Sequence, residues 1–500
     1  MEHILSSTMN RHVKIIELLR VSNDWISLSK IVEVLGAARK TIVTDLEDIE
    51  TQWEEFIRIE KSSSDGYRLI EKDNHSVQEI FSLIIRDSTS FQLLEYIFYH
   101  PGKSREQVAK ELYLSSASLY RIVQKMNHEL GKRKIKIDRL QTRFIGEDER
   151  NIRHFFSAYF FEVYGIHEWP FPYNQKIILS TIDYLNKKLT LKLNHLQMTD
   201  LTFLIAISLM RQQQGFLNKK DLLVPAFNSF NEKKAAVYKE AITLMLENLE
   251  LPWENVDYED FAYTIFWWEY AWDNQQEQKR LSELGESTIR IIKNTLNLSI
   301  EGESKEMCIR LFENVYAYYK TYSSRKYIAY NRELFTSLTI QRDFSIFSKV
   351  LKKVLVNLEE RTKFPWCSIY YNFILFELFV HWNDLPEQLD QLRHPVSTEV
   401  YSDLGPKHAQ LLAYYLKKHY REKVCLSIRK DTNTLIEKEN FSDIYVTNFY
   451  TRIIPSEKLF IVEDVPSAKN LNDLGRKIEK QRMKTLSKEV SCLFDNNRFT

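Results

Sequence analysis

Hydrophobic positions from Ser104 to Ile145 recur at helical spacing twice and then alternate. Ser104-x-x-Gln107 is a capping box, the pairing that satisfies two orphan amides at a helix start. Val108, Ala109 and Leu112 follow on one face, with the small Ala109 where two helices must approach closely. Tyr113-Leu114-Ser115 supplies a turn whose last residue can cap a second helix. On that second helix Leu119 and Ile122 face inward, and Ser116, Ala117, Ser118, Tyr120, Arg121, Gln124 and Lys125 fall on or near the opposite face. The run LGKRKIKIDRLQTRFI then alternates like a short two-stranded wing. The pattern predicts a winged helix-turn-helix whose second helix enters a major groove. An ordinary helical hairpin is the alternative for this stretch alone.

A weaker copy precedes it in residues 11–71. Val13, Ile16 and Leu19 mark a first helix, and Leu28, Ile31, Val32 and Leu35 a second. Gly36 is the turn, and Ala38–Trp53 the candidate recognition helix. Arg39, Lys40, Val43 and Thr44 are expected on its DNA side. Asp45, Glu47, Asp48 and Glu50 are expected to repel phosphates, which ranks this copy second. Phe56–Ile59 and Tyr67–Ile70, joined across Ser62–Gly66, read as its wing. Two such units in the first 150 residues support each other's functional reading.

Beyond them the pattern is continuously helical: Asn151–Tyr164, Gln175–Leu189, Leu201–Gln213, Lys234–Leu249 and Tyr258–Trp272, then Ser287–Leu296, Lys305–Thr321, Phe344–Leu358 and Ser368–Trp382. FAYTIFWWEYAW, within Tyr258–Trp272, is apolar on every side and predicts a buried helix or a subunit interface. After His394-Pro395, short strands (Val396–Tyr401, Lys423–Ile428, Asp443–Asn448, Leu459–Val465) alternate with helices His408–Tyr420 and Ala468–Glu489. That alternation predicts a small, mainly parallel α/β domain. The expected division is 1–72 and 73–165 (winged helix-turn-helix domains, the second the main reader), 170–285 and 286–390 (helical bundles), and 395–500 (α/β). The fold class is thus mainly α and multidomain.

Charge changes this picture locally. The chain's 69 Lys+Arg against 68 Asp+Glu give no global polyanion signal. Within 101–150, however, basic residues outnumber acidic ones 12 to 7, while residues 1–100 are net acidic. Lys132, Arg133, Lys134, Lys136, Arg139 and Arg143 are the candidate phosphate contacts. Recognition-helix candidates are Ser116, Ser118, Tyr120, Arg121, Gln124 and Lys125, with Arg39, Lys40 and Thr44 in the first copy.

Cys308, Cys367, Cys425 and Cys492 form no CxxC pair, which excludes a zinc ribbon and argues against a disulfide framework. Cys425 is expected to be buried and inert. No N-terminal run reads as a signal peptide, and Ile369–Val380 is too short and carries Glu377, so a cytoplasmic protein without a membrane partner is expected. Nothing reads as a catalytic or metal constellation, and neither enzyme activity nor a cofactor is expected.

SREQVAKELYLSSASLYRIVQKMN with its basic wing, in this domain order and over the whole length, resembles the Mga/AtxA family of Gram-positive virulence and stress regulators. The resemblance implies that the bundles are PTS-regulatory domains and that the last unit is similar to the IIB component of a sugar phosphotransferase. It implies activation by dimers or larger assemblies bound upstream of promoters. It also implies contacts with RNA polymerase and control by phosphocarrier proteins through bundle histidines. His195 and His381 are the histidines between 170 and 390. Related antiterminators carry further histidines in the helices written here LTFLIAISLMR and YEDFAYTIFWW, where this chain has none, so the usual four-histidine relay is absent and phospho-control is reduced to one or two sites or lost. An active IIB component needs Cys in the loop after its first strand. Here that loop, Ser402–Lys407, has none and carries Asp403, so the domain is expected to serve dimerisation. The alternatives are a phosphocarrier, opposed by that missing Cys, and an RNA-binding antiterminator, opposed by the helical rather than all-β start of the chain.

Overall fold

The computed structural model describes residues 4–22, 25–165, 168–219, 232–252, 254, 256–322, 327–429 and 442–495, with backbone alone at 232, 483 and 485–495. Two compact units emerge: Met1–Gly285 with Arg310–Thr339, and Glu286–Ile309 with Ile340–Thr500.

In the first unit α1 (Ser7–Ser22), α2 (Leu28–Leu35) and α3 (Arg39–Gln52) lead into the antiparallel hairpin β1 (Ile57–Ser62) and β2 (Gly66–Glu71). Ser27 caps α2 and Gly36 ends it at φ 63°, a left-handed backbone that glycine adopts without penalty. Then follow α4 (Val77–Asp87), α5 (Thr89–Tyr99), α6 (Arg105–Glu111), α7 (Ser116–Gly131), the hairpin β3 (Ile135–Ile137) and β4 (Phe144–Gly146), and α8 (Glu149–Tyr164). Both winged units therefore form where the hydrophobic spacing puts them. The Ser104/Gln107 box closes in both directions.

Helices α9 (Gln175–Lys188), α10 (His195–Gln213), α11 (Glu232–Asn248), α12 (Tyr258–Ile265) and α13 (Trp267–Tyr270) pack with α8 or with one another. The aromatic run is buried over Phe261–Phe266, but Phe266 breaks the expected single helix, and Trp267–Tyr270 is half-exposed. Helices α14 (Gln275–Leu296), α15 (Gly302–Thr321) and α16 (Arg332–Asp343) contribute residues to both units.

The second unit adds α17 (Ser345–Thr362), α18 (Tyr371–His381) and α19 (Leu385–Gln391). Beyond these lie β5 (Val396–Tyr401), α20 (Pro406–Tyr420), β6 (Val424–Ile428), β7 (Ile444–Thr447), β8 (Leu459–Ile461) and α21 (Ala468–Asp495). The four strands are all parallel in the order β6-β5-β7-β8. Cys425 corrects the expectation of burial: β6 is the edge strand among the described residues, with β5 as its neighbour, and this residue is exposed. Cys308 is buried, and burial pushes its thiol up to about 12. The Cys492 side chain lies outside the described residues.

Helix α8 ties the second winged unit to the bundle. Its first half carries charge into the interior, where the Arg153 guanidinium meets Asp260 of α12 at 2.7 Å with both side chains fully buried. Arg153 also donates to Thr264 Oγ1 and the Phe216 carbonyl. Asp260 accepts from the backbone and side-chain amides of Asn218. Arg211 of α10 makes a two-pronged pair with Glu149 at 2.6 and 3.0 Å. From Phe155 onward α8 is rich in aromatic residues, with Phe156 against Phe98 and Phe144 of the winged unit.

Removing one partner of a buried pair leaves an uncompensated charge. Asp260→Ala is expected to destabilise the first unit by about 3–5 kcal/mol in urea unfolding. A loss below about 1 kcal/mol would mean that water reaches Arg153 and that the pair does not hold α8 in place.

Candidate nucleic-acid interface

Helix α7 starts at Ser115, whose hydroxyl accepts from the Ser118 amide. Leu119, Val123, Met126 and Leu130 are buried on one side. On the other, Ser116, Tyr120, Arg121, Gln124 and Lys125 are exposed and Ser118 is half-exposed. Arg121 Nε reaches back to the Ala117 carbonyl at 3.4 Å, and Lys125 Nζ donates to the Leu5 carbonyl at 2.8 Å. Lys125 is therefore partly committed to the N-terminal segment, whereas the α7 face from Ser116 to Gln124 points outward.

The wing is fixed to α7 rather than loosely appended. Asn127 donates to the Ile137 carbonyl and accepts from the Ile137 amide, a clamp between helix and strand. Thr142 is buried and its hydroxyl donates to the Lys103 carbonyl. Lys134, Lys136 and Arg139 are exposed, and the Arg139 guanidinium lies 5.7 Å from the Tyr120 ring centre, which joins wing and helix in one cationic surface. Lys132 is exposed but pairs with Glu129 at 2.6 Å, and Arg143 is half-exposed, 3.9 Å from Asp138. Arg133 leaves the set of phosphate contacts. It is buried, donates to the Tyr327 carbonyl at 2.7 Å and lies over the Phe155 ring, so it ties the wing's base to the residues after α15. Glu162 of α8 holds the same stretch through the amides of Ile328, Ala329 and Tyr330.

On α3, Arg39, Lys40 and Thr44 are exposed and Val43 half-exposed. Asp45 does not face outward, which corrects the expected repulsion at that residue. It is buried and takes Arg11 of α1 on both oxygens at 2.8 and 3.0 Å, with His12 Nε2 at 3.3 Å. Donor atoms of His12, Asp45 and Asp48 lie within 4.8 Å of one another, yet Arg11 already occupies Asp45, so the group serves as a clamp between α1 and α3. Glu47 and Asp48 remain exposed.

Two large side chains stand exposed at the tips of this unit, one in the expected turn and one that the wing's alternation does not single out. Tyr113, at the turn with φ 54°, is 97% exposed, and Leu140, at the wing tip, is 83% exposed. The available signal was a large apolar residue directly after Asp138-Arg139, where a hairpin tip ordinarily carries polar residues.

The regulatory candidates lie elsewhere. His195 is exposed as the first residue of α10, a helix that begins there rather than at Leu201. His381 ends α18, with its Nε2 3.0 Å from Glu377. In the loop after β5, Ser402 Oγ and His408 Nδ1 are 2.7 Å apart, and Asp403 accepts from Asn448 Nδ2 at 2.6 Å. Among the described residues no helix is long and apolar enough to cross a membrane.

A capped helix offering polar and basic side chains to solvent, clamped to a cationic wing, defines a helix-turn-helix DNA-binding regulator. Residues 73–160 match the Mga helix-turn-helix domain. The chain is 23% identical over 484 residues to a protein of Streptococcus pneumoniae described as a trans-acting regulator, covering 93% of this chain and 96% of that one. It is 27% identical over 222 residues to the capsule synthesis positive regulator AcpB of Bacillus anthracis, covering 44% and 46%. It is 24% identical over 213 residues to the anthrax toxin expression trans-acting positive regulator of the same organism, covering 42% and 44%. The match thus spans under half the length of each Bacillus protein. Residues 73–160 thus carry a Mga-type helix-turn-helix domain, and the chain as a whole is similar to trans-acting and positive regulators of this kind.

Burial holds His12 below the ordinary histidine value of 6.5, against the opposing pull of Asp45. The unfolded chain then binds a proton that the folded ring resists. Stability is fully present above about pH 6.5 and falls as pH drops below it. Hydrogen exchange at the α1 and α3 amides is expected to accelerate between about pH 7 and about 5.5, after correction for intrinsic rates, and His12→Gln should flatten that slope. An unchanged slope in the variant would place the acid sensitivity elsewhere.

Proposed function

We propose that the protein activates transcription by binding duplex DNA upstream of promoters, as a dimer or larger assembly, with α7 in a major groove and α3 as an auxiliary reader. The observation that carries this is the outward face of α7, Ser116 to Gln124, continuous with Arg139 and Lys136 of the wing. The names of the relatives favour activation of virulence genes over repression. In this reading the helical bundles are PTS-regulatory-like and the parallel-sheet domain is IIB-like. Ser402 stands where a phosphocarrier would need its cysteine, which leaves that domain for dimerisation.

A second element is control by phosphorylation, and the two histidines differ as acceptors. His195 is exposed at a helix N-terminus, where the backbone partial charge favours an added phosphate. His381 sits at a helix C-terminus beside Glu377, where both neighbours oppose it. Phosphocarrier proteins with phosphoenolpyruvate should therefore label His195 in preference to His381.

The DNA reading is tested by footprinting the full chain on its host's DNA and titrating the recovered sites. Arg121→Ala is expected to weaken binding by about 1–3 kcal/mol and to relax the sequence preference. Lys136→Ala should weaken all sequences alike and lower the salt slope by about 1. Equal binding by the wild type and an Arg121→Ala/Lys125→Ala double variant would reject the assignment of α7.

A further inference from the structure

A lone exposed leucine is ordinary on a protein surface, and Leu140 would deserve no comment on a mobile loop. Its setting is different. The Asp138 carboxylate accepts from the Leu140 amide at 2.8 Å and the Gln141 amide, and the Asp138 amide donates to the Arg143 carbonyl at 2.8 Å. Thr142, two residues on, is buried and holds the Lys103 carbonyl from a strained φ of 30°. Each residue from 138 to 143 other than Leu140 and Gln141 is thus tied down by a side-chain or ladder contact, or by ring stacking in the case of Arg139. The hairpin presents an apolar tip in a set conformation, with Arg139 and Arg143 on either side.

The wing is clamped to α7 through Asn127, so the tip has a fixed offset from the recognition face. With α7 in a major groove, a wing beside it meets the adjoining minor groove. Arginines favour a narrow, strongly negative minor groove, and an apolar wedge between base steps unstacks and bends the duplex.

We infer that Leu140 is a shape-reading wedge: it enters the minor groove next to the α7 site, selects deformable A·T-rich steps there and bends the DNA. This rests on the proposed DNA reading of α7. It adds, to any arginine preference for a narrow groove, a dependence on how readily a base step opens. The minor groove distinguishes A·T from G·C chiefly through the guanine N2 amino group, which would obstruct the wedge.

The test uses the full chain and a duplex selected from a randomised pool. At wing-facing positions, replacing A·T with G·C is expected to weaken wild-type binding roughly tenfold. Replacing A·T with inosine·cytosine, which lacks the N2 amino group, should leave binding within about twofold. Leu140→Ala, at an exposed position and checked for an unchanged melting temperature, should lose this discrimination and the bend seen by circular-permutation gel shift. It should keep the preference at α7-facing positions. Inosine·cytosine behaving like G·C, or Leu140→Ala retaining discrimination and bend, overturns the wedge while the α7 reading stands. Selection that enriches no sequence, with binding indifferent to Arg121→Ala, overturns both.

Discussion

Helix α8 cannot be withdrawn from its surroundings without leaving charge in the protein interior. Thirteen of its sixteen residues are buried, among them Glu149, Arg150, Arg153 and His154. A helix of this kind is not amphipathic in the usual sense, since its polarity changes along its length rather than around its circumference. Each half therefore has a separate requirement. The charged half needs counter-charges, which Asp260 and Arg211 provide, and the aromatic half needs the rings of the winged unit. One element thereby joins the winged unit and the bundle within a single continuous hydrophobic core. Any rearrangement of α10 and α12 would therefore bear on a helix that also backs the winged unit, since close-packed protein interiors transmit strain.

The opposite condition holds at α7. Its outward face has few partners within the chain beyond the Leu5 carbonyl, and its position is set from behind by Ser115, Asn127 and the buried Leu119 and Met126. Preorganisation of this sort lowers the ordering cost at association, since helix and wing already share one geometry. Arg133 contributes to that backing. Although it stands in the most basic stretch of the chain, its guanidinium anchors the wing to Tyr327, while Glu162 gathers the next three amides.

How much of this was readable beforehand follows the range of each interaction. The capping box at Ser104, the cap at Ser115 and the alternation in the wing are local, and the winged unit formed where they put it. The parallel sheet was likewise legible, because strand and helix periods alternate cleanly after Pro395. Arg133, Asp45 and Cys425 were misplaced for one shared reason. The fate of each depends on a partner distant in sequence, or on which strand lies at the sheet's edge, and neither leaves a local trace. Leu140 was missed differently, since alternation places it in the wing without revealing that the turn turns it out.

These relocations alter the balance between the two readers. The second loses one free cation and the first loses one free anion, so the difference in their surface charge is smaller than the formal count. The remaining acids of α3, Glu47, Asp48 and the half-exposed Glu50, begin seven residues beyond Lys40, roughly 10 Å along the axis at about 1.5 Å per residue. That is comparable to the screening length of about 8 Å at physiological salt, so repulsion at the helix's far end scarcely reaches a phosphate held at its start. Arg39 and Lys40 stand at that start, where the helix's own partial charge is positive, with Thr44 further along the helix. In the proposed reading the first winged unit would take DNA by the tip of α3 and the second winged unit by the face of α7. A chain whose total charge is +1 needs no more than these two local surfaces to hold a polyanion.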